Sequence, residues 1–389
     1  MRKDIVCITR RYFLAALGIA ASTNAISAAL DFSYLWAQTP KDDVGKERLF
    51  SVVGDSSLSQ RAAKKMLIYG AASEQGPLYS DKDFASHFLR ECCMLAAENE
   101  LKWDRLRPTP YGFSFGPADW LMEFARKNNI LFHAQTFVWH LALPGWFENF
   151  VNSRNAENVL RQHIAAVAGR YAGKIHSWDV VNEAVQPRDG QPGGLRNSPW
   201  LKLLGPNYID IAFRSVAAAD PQALLVLNQD QVEFDTRENE ACRGAVLRLL
   251  ERLKADGTPL HALGIQAHLV GADNRFNPNK FSLFLHDVAS LGLKIMITEM
   301  DITDYGLPTD ADVRDRIIAS KYEDFLSVAL EEPAVIAVIT WGLSDKYAWL
   351  AKKPGHEKAV VRSLPLDRQF RRKLAWNAIA RAIDNTGKR

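Results

Sequence analysis

Trp178-Asp179-Val180-Val181-Asn182-Glu183-Ala184-Val185 is an apolar, β-branched run that reads as a strand and finishes in an amide and a carboxylate. The chain then opens into the Gly-, Pro- and Asp-rich segment 186–195, which sets Glu183 at the mouth of a sheet, where a ligand can reach it. A second run of the same kind, Ile295-Met296-Ile297-Thr298-Glu299-Met300-Asp301, also ends in acidic residues. Outward from these two, short apolar runs alternate with longer stretches of helical period. The strands are expected at 67–69, 94–97, 130–136, 175–181, 224–227, 262–266, 294–298 and 335–340, and the helices at 80–92, 116–128, 156–171, 206–219, 238–255, 279–291, 312–330 and 368–383. Eight such alternations predict an α/β fold, a single (β/α)8 TIM barrel, whose active site would lie at the carboxyl ends of its strands.

Those strand ends carry chemistry. They present Glu98 and Asn99, Gln135 and Trp139, Asn182 and Glu183, Asn228, Gln266 and His268, Glu299 and Asp301, and Trp341. Two glutamates at the mouth of one barrel point to cleavage of a glycosidic bond. That reaction needs a proton for the departing oxygen and a negative charge facing an oxocarbenium-like carbon, so one carboxyl must stay protonated beside an ionised one. Mutual repulsion favours that division of labour. Taken singly, a glutamate at a strand end is ordinarily a solvated loop carboxylate, a tryptophan there packs a core or anchors a loop, and a lone histidine is structural. The combination on one barrel rim carries the reading. His133, His140, His176 and His261 show no helical spacing to a carboxylate, so neither a metal nor a cofactor is expected.

The chain has 389 residues, 47% hydrophobic and 24% charged, with a formal charge of +3. Near its start, Thr9-Arg10-Arg11-Tyr12-Phe13-Leu14 precedes the small, apolar run 15–21 and polar Ser22-Thr23-Asn24, which resembles a twin-arginine export signal. The apolar core is too short for a permanent anchor. Residues 1–29 are therefore read as signal, with cleavage as late as 37, residues 38–61 as a polar lead-in, and 62–385 as the barrel. Loss of the signal removes four basic residues and one acidic one, leaving a formally neutral chain with no electrostatic footprint for nucleic acid. Cys92, Cys93 and Cys242 then remain, an odd number with two adjacent, which is neither a disulfide framework nor a zinc spacing.

Several ordered segments resemble glycoside hydrolase family 10, the xylanase-type barrels, from about residue 62 to 382. They are Glu98-Asn99-Glu100-Leu101-Lys102-Trp103-Asp104, Phe137-Val138-Trp139-His140 with Leu143-Pro144-Gly145-Trp146, the Trp178 strand with Leu195-Arg196-Asn197-Ser198-Pro199-Trp200, Ile265-Gln266-Ala267-His268, the Glu299 strand, and Trp341-Gly342-Leu343-Ser344-Asp345-Lys346-Tyr347-Ala348-Trp349. The resemblance implies an exported endo-β-1,4-xylanase, acting as a monomer on β-1,4-xylan or xylo-oligosaccharides. Glu183 would be acid/base and Glu299 nucleophile, with retention of configuration and carboxyls about 5–5.5 Å apart. It implies further that His268 sits between Glu299 and Asp301, that Gln266 lies beside it, and that Asn182 bonds the sugar 2-hydroxyl. Glu98, Asn99 and Lys102 would bind the glycone one unit out, while Trp139, Trp341 and Trp349 wall the sugar at the cleavage point.

The chain departs from the family pattern at Ala134-Gln135-Thr136, where Gln135 replaces a histidine expected to bond the sugar, and at Asn228-Gln229-Asp230-Gln231, where Asn-Asp-Tyr is usual. Leu141-Ala142 stands where a polar pair is common. These departures keep two alternatives open: a barrel hydrolase for another β-1,4-glycan or for short xylo-oligosaccharides, and a weakly catalytic glycan-binding barrel.

Overall fold

The computed structural model describes residues 48–353 and 361–387. The signal-like segment 1–29, its alternative cleavage point at 37 and the lead-in up to residue 47 lie outside the described residues.

Nine parallel strands are present among the described residues: β1 (Ile68–Ser73), β2 (Met94–Ala97), β3 (Leu131–Val138), β4 (Ser177–Asn182), β5 (Leu224–Gln229), β6 (Ala262–Ile265), β7 (His268–Val270), β8 (Lys294–Thr303) and β9 (Val335–Thr340). Neighbours pair in sequence from β1 to β6, β6 pairs with β8, and β8 with β9, which returns to β1. This closes an eight-stranded barrel. β7 is a short resumption of β6 after a break, held only to the far end of β8. The helices on the outside are α1 (Lys82–Glu91), α2 (Gly116–Lys127), α3 (Ala156–Tyr171), α4 (Tyr208–Ala219), α5 (Arg237–Ala255), α6 (Pro278–Ser290), α7 (Ala311–Ala329) and α8 (Leu374–Asn385). Side-chain caps start four of them: Asp81, Thr236, Asn277 and Asp310 each accept a backbone N–H of the first turn. Among the described residues no helix is long and apolar enough to cross a membrane.

Alternation along the strands sorts the buried side chains into two layers. Ile68, Ala72, Met94, Ala96, Val226, Ala262, Met296 and Ile339 form one cluster, the filling of the barrel. Their neighbours Tyr69, Ala71, Leu95, Ala97, Leu225, Leu227, Leu263, Ile295 and Ile297 pack outward among the helices. The filling includes a polar trio, since buried His133 meets the Ser177 hydroxyl at 2.7 Å and the Asp179 carboxylate at 3.1 Å. His133 is thus spent inside the barrel, one layer below the rim. Cys92, Cys93 and Cys242 are buried and not in disulfides.

Several boundaries differ from the sequence reading, β1 running on to Ser73 and β8 to Thr303 among them, and two others have a clear local cause. A helix at Leu58–Ala63 begins within the segment read as lead-in, because Ser57 and Gln60 form a capping box at its start. The last helix starts at Leu374, not 368. Asp367 draws the N–H groups of Gln369 and Arg371 into a turn, and Phe370 in the left-handed region (φ +62°) stops any helix there.

Candidate active site

Strict period-two counting would not aim the rim residues correctly. On β8, Met296 and Thr298 face the barrel interior, so alternation alone would turn Glu299 outward. A register shift against β9 between Ile297 and Met300 inserts an extra residue at this point. Glu299 and Asp301 consequently both face inward. β4 does the same between Asp179 and Val181, which brings Asn182 inward, and β3 between Gln135 and Val138. Such bulges at a barrel rim re-aim side chains at a site. Glu183 follows with φ +54°, a left-handed conformation that costs about 1–2 kcal/mol outside glycine and turns its side chain over the mouth.

A continuous set of hydrogen bonds fixes the centre. The Thr298 hydroxyl donates to Asn228 Oδ1 at 2.6 Å, which decides which way the Asn228 amide faces. Asn228 Nδ2 then donates to Glu299 Oε1 at 2.7 Å and to Asn182 Oδ1 at 2.9 Å. Gln266 Nε2 donates to the same Asn182 oxygen and to Glu183 Oε1, each at 3.1 Å. Glu183 and Glu299 are therefore joined through three amides. Gly264 makes room for this, since a Cβ there would lie 2.4 Å from Asn228 Oδ1.

His268 meets Asp301 through Nδ1 at 2.8 Å and Glu299 through Nε2 at 3.3 Å. Burial pulls the His268 pKa down, but the Asp301 and Glu299 carboxylates outweigh it and hold the imidazole well above the usual histidine value. Trp349 donates its indole N–H to the other Asp301 oxygen, and the rings of Trp341 and Trp349 lie 6.3 and 5.3 Å from that of His268. On the opposite side, the Arg196 guanidinium lies 3.5 Å from Glu183 Oε2 and 3.4 Å from Asp230, and its Nε donates to the Glu183 carbonyl. His140 Nδ1 is 3.7 Å from the same Glu183 oxygen; burial, then Arg196, pushes its pKa down to about 4.

Further along the rim, Lys102 donates to Asn99 Oδ1 at 2.9 Å, and its ammonium lies 5.2 Å from the centre of the Trp139 ring. Asn99 in turn donates to Glu74 at 2.7 Å. Glu98 is almost buried, and burial, followed by repulsion from Glu74, pushes its pKa up to about 7. Gln135 is 3% exposed and its Nε2 has no partner. The residues read from the sequence as catalytic or substrate-binding candidates thus stand at one end of the barrel. Gln229 does not join them: its amide is taken by both backbone groups of Val185. Asp345 and Lys346 shape loops, through Lys373 and Asp81 respectively.

Sequence reasoning passed over Glu74, Arg196, Thr298 and Glu233. Glu74 was findable, because Ser73-Glu74 ends β1 just as Asn182-Glu183 ends β4. The others support the site from beneath or from loops, and nothing in local sequence marks them.

The buried carboxyls set a pH dependence. Glu98 and Glu233 are each pushed up to about 7 from 4.5, Glu233 chiefly by burial and then by Asp230. The folded chain holds these protons more tightly than the unfolded one, so ionising each above pH 7 costs up to about 3 kcal/mol, relieved as pH falls toward 4.5. The raised His268 pKa acts in the same sense, its stabilisation being lost as pH rises. His140, and buried His163, whose pKa burial holds well below 6.5, act oppositely, and their stabilisation is lost as pH falls below that value. The melting temperature should therefore rise as pH falls from 8 to about 6.5 and change little from there to about 4.5, where the two carboxyls and the two histidines offset each other. Calorimetry across that range checks it, and Glu98→Gln should flatten the alkaline limb.

A closed barrel with paired glutamates on its carboxyl rim is the framework of a glycoside hydrolase. Residues 57–382 match the model of glycosyl hydrolase family 10. The chain belongs to that family. It is 34% identical over 299 residues to endo-1,4-beta-xylanase B of Thermotoga neapolitana, covering 76% of this chain and 82% of that protein. Endo-1,4-beta-xylanase A of Fusarium oxysporum is 33% identical over 281 residues, 69% of this chain and 81% of its own length. Among solved structures, xylanase 10B of Thermotoga petrophila in complex with xylobiose superposes with a TM-score of 0.77 at 32% identity, covering 86% of this chain and 99% of that one.

Proposed function

We propose that this glycoside hydrolase is an endo-β-1,4-xylanase that cleaves internal xylosidic bonds with retention of configuration. The observation that carries the reading is the hydrogen-bonded link from Glu183 through Gln266, Asn182 and Asn228 to Glu299, with His268 and Asp301 beyond. Glu299 accepts from Asn228 and meets His268, which fixes the direction of its carboxyl and suits it to attack the anomeric carbon. Glu183 protonates the leaving oxygen, then deprotonates the water that releases the sugar. The Asn182 oxygen is already taken by two donors, so its Nδ2 is left to bond the 2-hydroxyl, a contact that strengthens in the transition state. Gln135 Nε2 supplies a neutral donor to the same sugar. Glu98, Asn99 and Lys102 hold the next unit. Trp139, Trp341 and Trp349 close on the ring at the cleavage point, where xylose lacks the hydroxymethyl group of glucose, so a glucan meets a collision that xylan does not.

All these groups come from one chain, which supports action as a monomer. The relatives' names support xylan or xylo-oligosaccharides as substrate, and the twin-arginine-like start supports export. Gln135 favours one alternative, a shifted preference toward shorter oligomers or another β-1,4-glycan, since a contact usually made by histidine is made by an amide.

The test is product analysis of the chain without residues 1–37 on β-1,4-xylan, with NMR detection of the first anomer released. β-Configured xylo-oligomers are expected. Faster hydrolysis of β-1,4-glucan than of xylan, or an α-anomer first, would sink the reading.

A further inference from the structure

Gln266 and His268 reach the two carboxylates from either side of a break in the barrel wall. Between them, Ala267 is fully buried and left-handed (φ +58°), and with Gln266 it forms the two-residue break between β6 and β7. The flanking backbone is pinned to neighbouring strands: Gln266 N–H to the Gln229 carbonyl at 3.0 Å, Glu299 N–H to the Gln266 carbonyl at 3.1 Å, and Asp301 N–H to the Ala267 carbonyl at 3.4 Å. The Ala267 N–H finds no strand carbonyl. It donates to Glu233 Oε1 at 3.1 Å, while Glu233 Oε2 accepts the Val232 N–H at 2.8 Å. Both oxygens of this buried carboxyl are thus spent on backbone, one on its own loop and one on the break.

The loop carrying Glu233 is itself anchored. Arg243 of α5, also buried, donates to the carbonyls of Val232 and Phe234, each at 2.9 Å. Glu233 therefore presents a fixed acceptor at a point where a left-handed residue would otherwise relax and lose its buried N–H partner.

We propose that Glu233 is a positioning residue: by accepting the Ala267 N–H it holds the left-handed link that aims Gln266 at Glu183 and His268 at Glu299. It touches neither carboxylate and acts through the two residues that do. The inference rests on the proposed roles of Glu183 and Glu299. A glutamine at this position keeps one acceptor for Ala267 but turns an NH2 group toward the Val232 N–H, whereas alanine removes both acceptors.

Glu233→Ala is expected to lower kcat on xylan about 10–100-fold, as small misplacements of catalytic groups do, with KM changed less than about threefold, because Glu98, Asn99 and Lys102 stand on the other side of the rim. Glu233→Gln should recover most of the loss. The deciding measurement is a double-mutant cycle with Gln266→Ala, made well below the melting temperature of every variant: the Glu233 substitution should cost clearly less once Gln266 is gone, only the share that runs through His268 remaining. An undiminished effect in that background, or a lower melting temperature with unchanged kcat, would overturn the proposal. Should Glu233→Ala fail to fold, the same cycle is run with Glu233→Gln, whose smaller loss must likewise shrink without Gln266. The wild-type chain assayed alongside separates this outcome from failure of the functional reading, which would appear as no xylan cleavage before any substitution is made.

Discussion

Glu299→Ala is expected to reduce turnover of xylan by roughly 10⁵–10⁶-fold, the scale on which removal of a covalent nucleophile falls when the rest of a site is intact. The residue has no substitute within reach. Asn228 and His268, which hold its two oxygens, are a neutral amide and a cation, so neither can offer an anionic oxygen to the anomeric carbon. KM should change little, because the glycone groups are untouched. A small external anion such as azide should restore part of the rate on an activated aryl β-xyloside and give the α-glycosyl azide, since it enters the space Glu299 leaves, opposite the departing group. Near-wild-type activity, or a β-azide, would assign the nucleophile elsewhere.

Glu183→Ala should produce a different signature. General acid catalysis is worth about 10²–10⁴-fold, and it matters in proportion to how poor the leaving group is. Cleavage of xylan should fall by that factor, whereas release of a good leaving group such as dinitrophenol should proceed to the glycosyl-enzyme and stall there. A burst of phenol followed by a slow steady state is the kinetic mark. Azide should then relieve the stall and yield the β-glycosyl azide, the mirror of the Glu299 result. Equal losses on both substrates, with no burst, would show that Glu183 is not the proton donor. Arg196 and His140 lie near enough to the carboxylate that their roles can be separated afterward, on this background.

Much of the fold was legible because each element is specified locally. The eight strands are short apolar runs bounded by polar segments, the helices carry one apolar face, and four of them open on a capping side chain. The candidate site residues could be grouped from the sequence because a barrel exposes its strand ends on one rim, so polar groups placed there in sequence converge in space. The last helix was misplaced for a local reason of another kind: the 368–373 stretch has helical composition, yet the Asp367 carboxylate captures its amides.

The sequence by itself supplied the proposed chemistry, two glutamates with their amides and histidine on successive strand ends, and it determined the barrel that brings them together. Their aim was decided by the tertiary structure. Alternation sends Glu299 outward until the shift against β9 adds a residue, and it leaves Asn182 out of phase until β4 slips against β5. Gln266 and His268 flank a left-handed alanine held by a carboxylate 34 residues earlier in the chain. Bulges and left-handed links are stable only when a neighbouring strand or a buried partner satisfies the amides they free. Those partners are distant in sequence, so no local pattern can announce them.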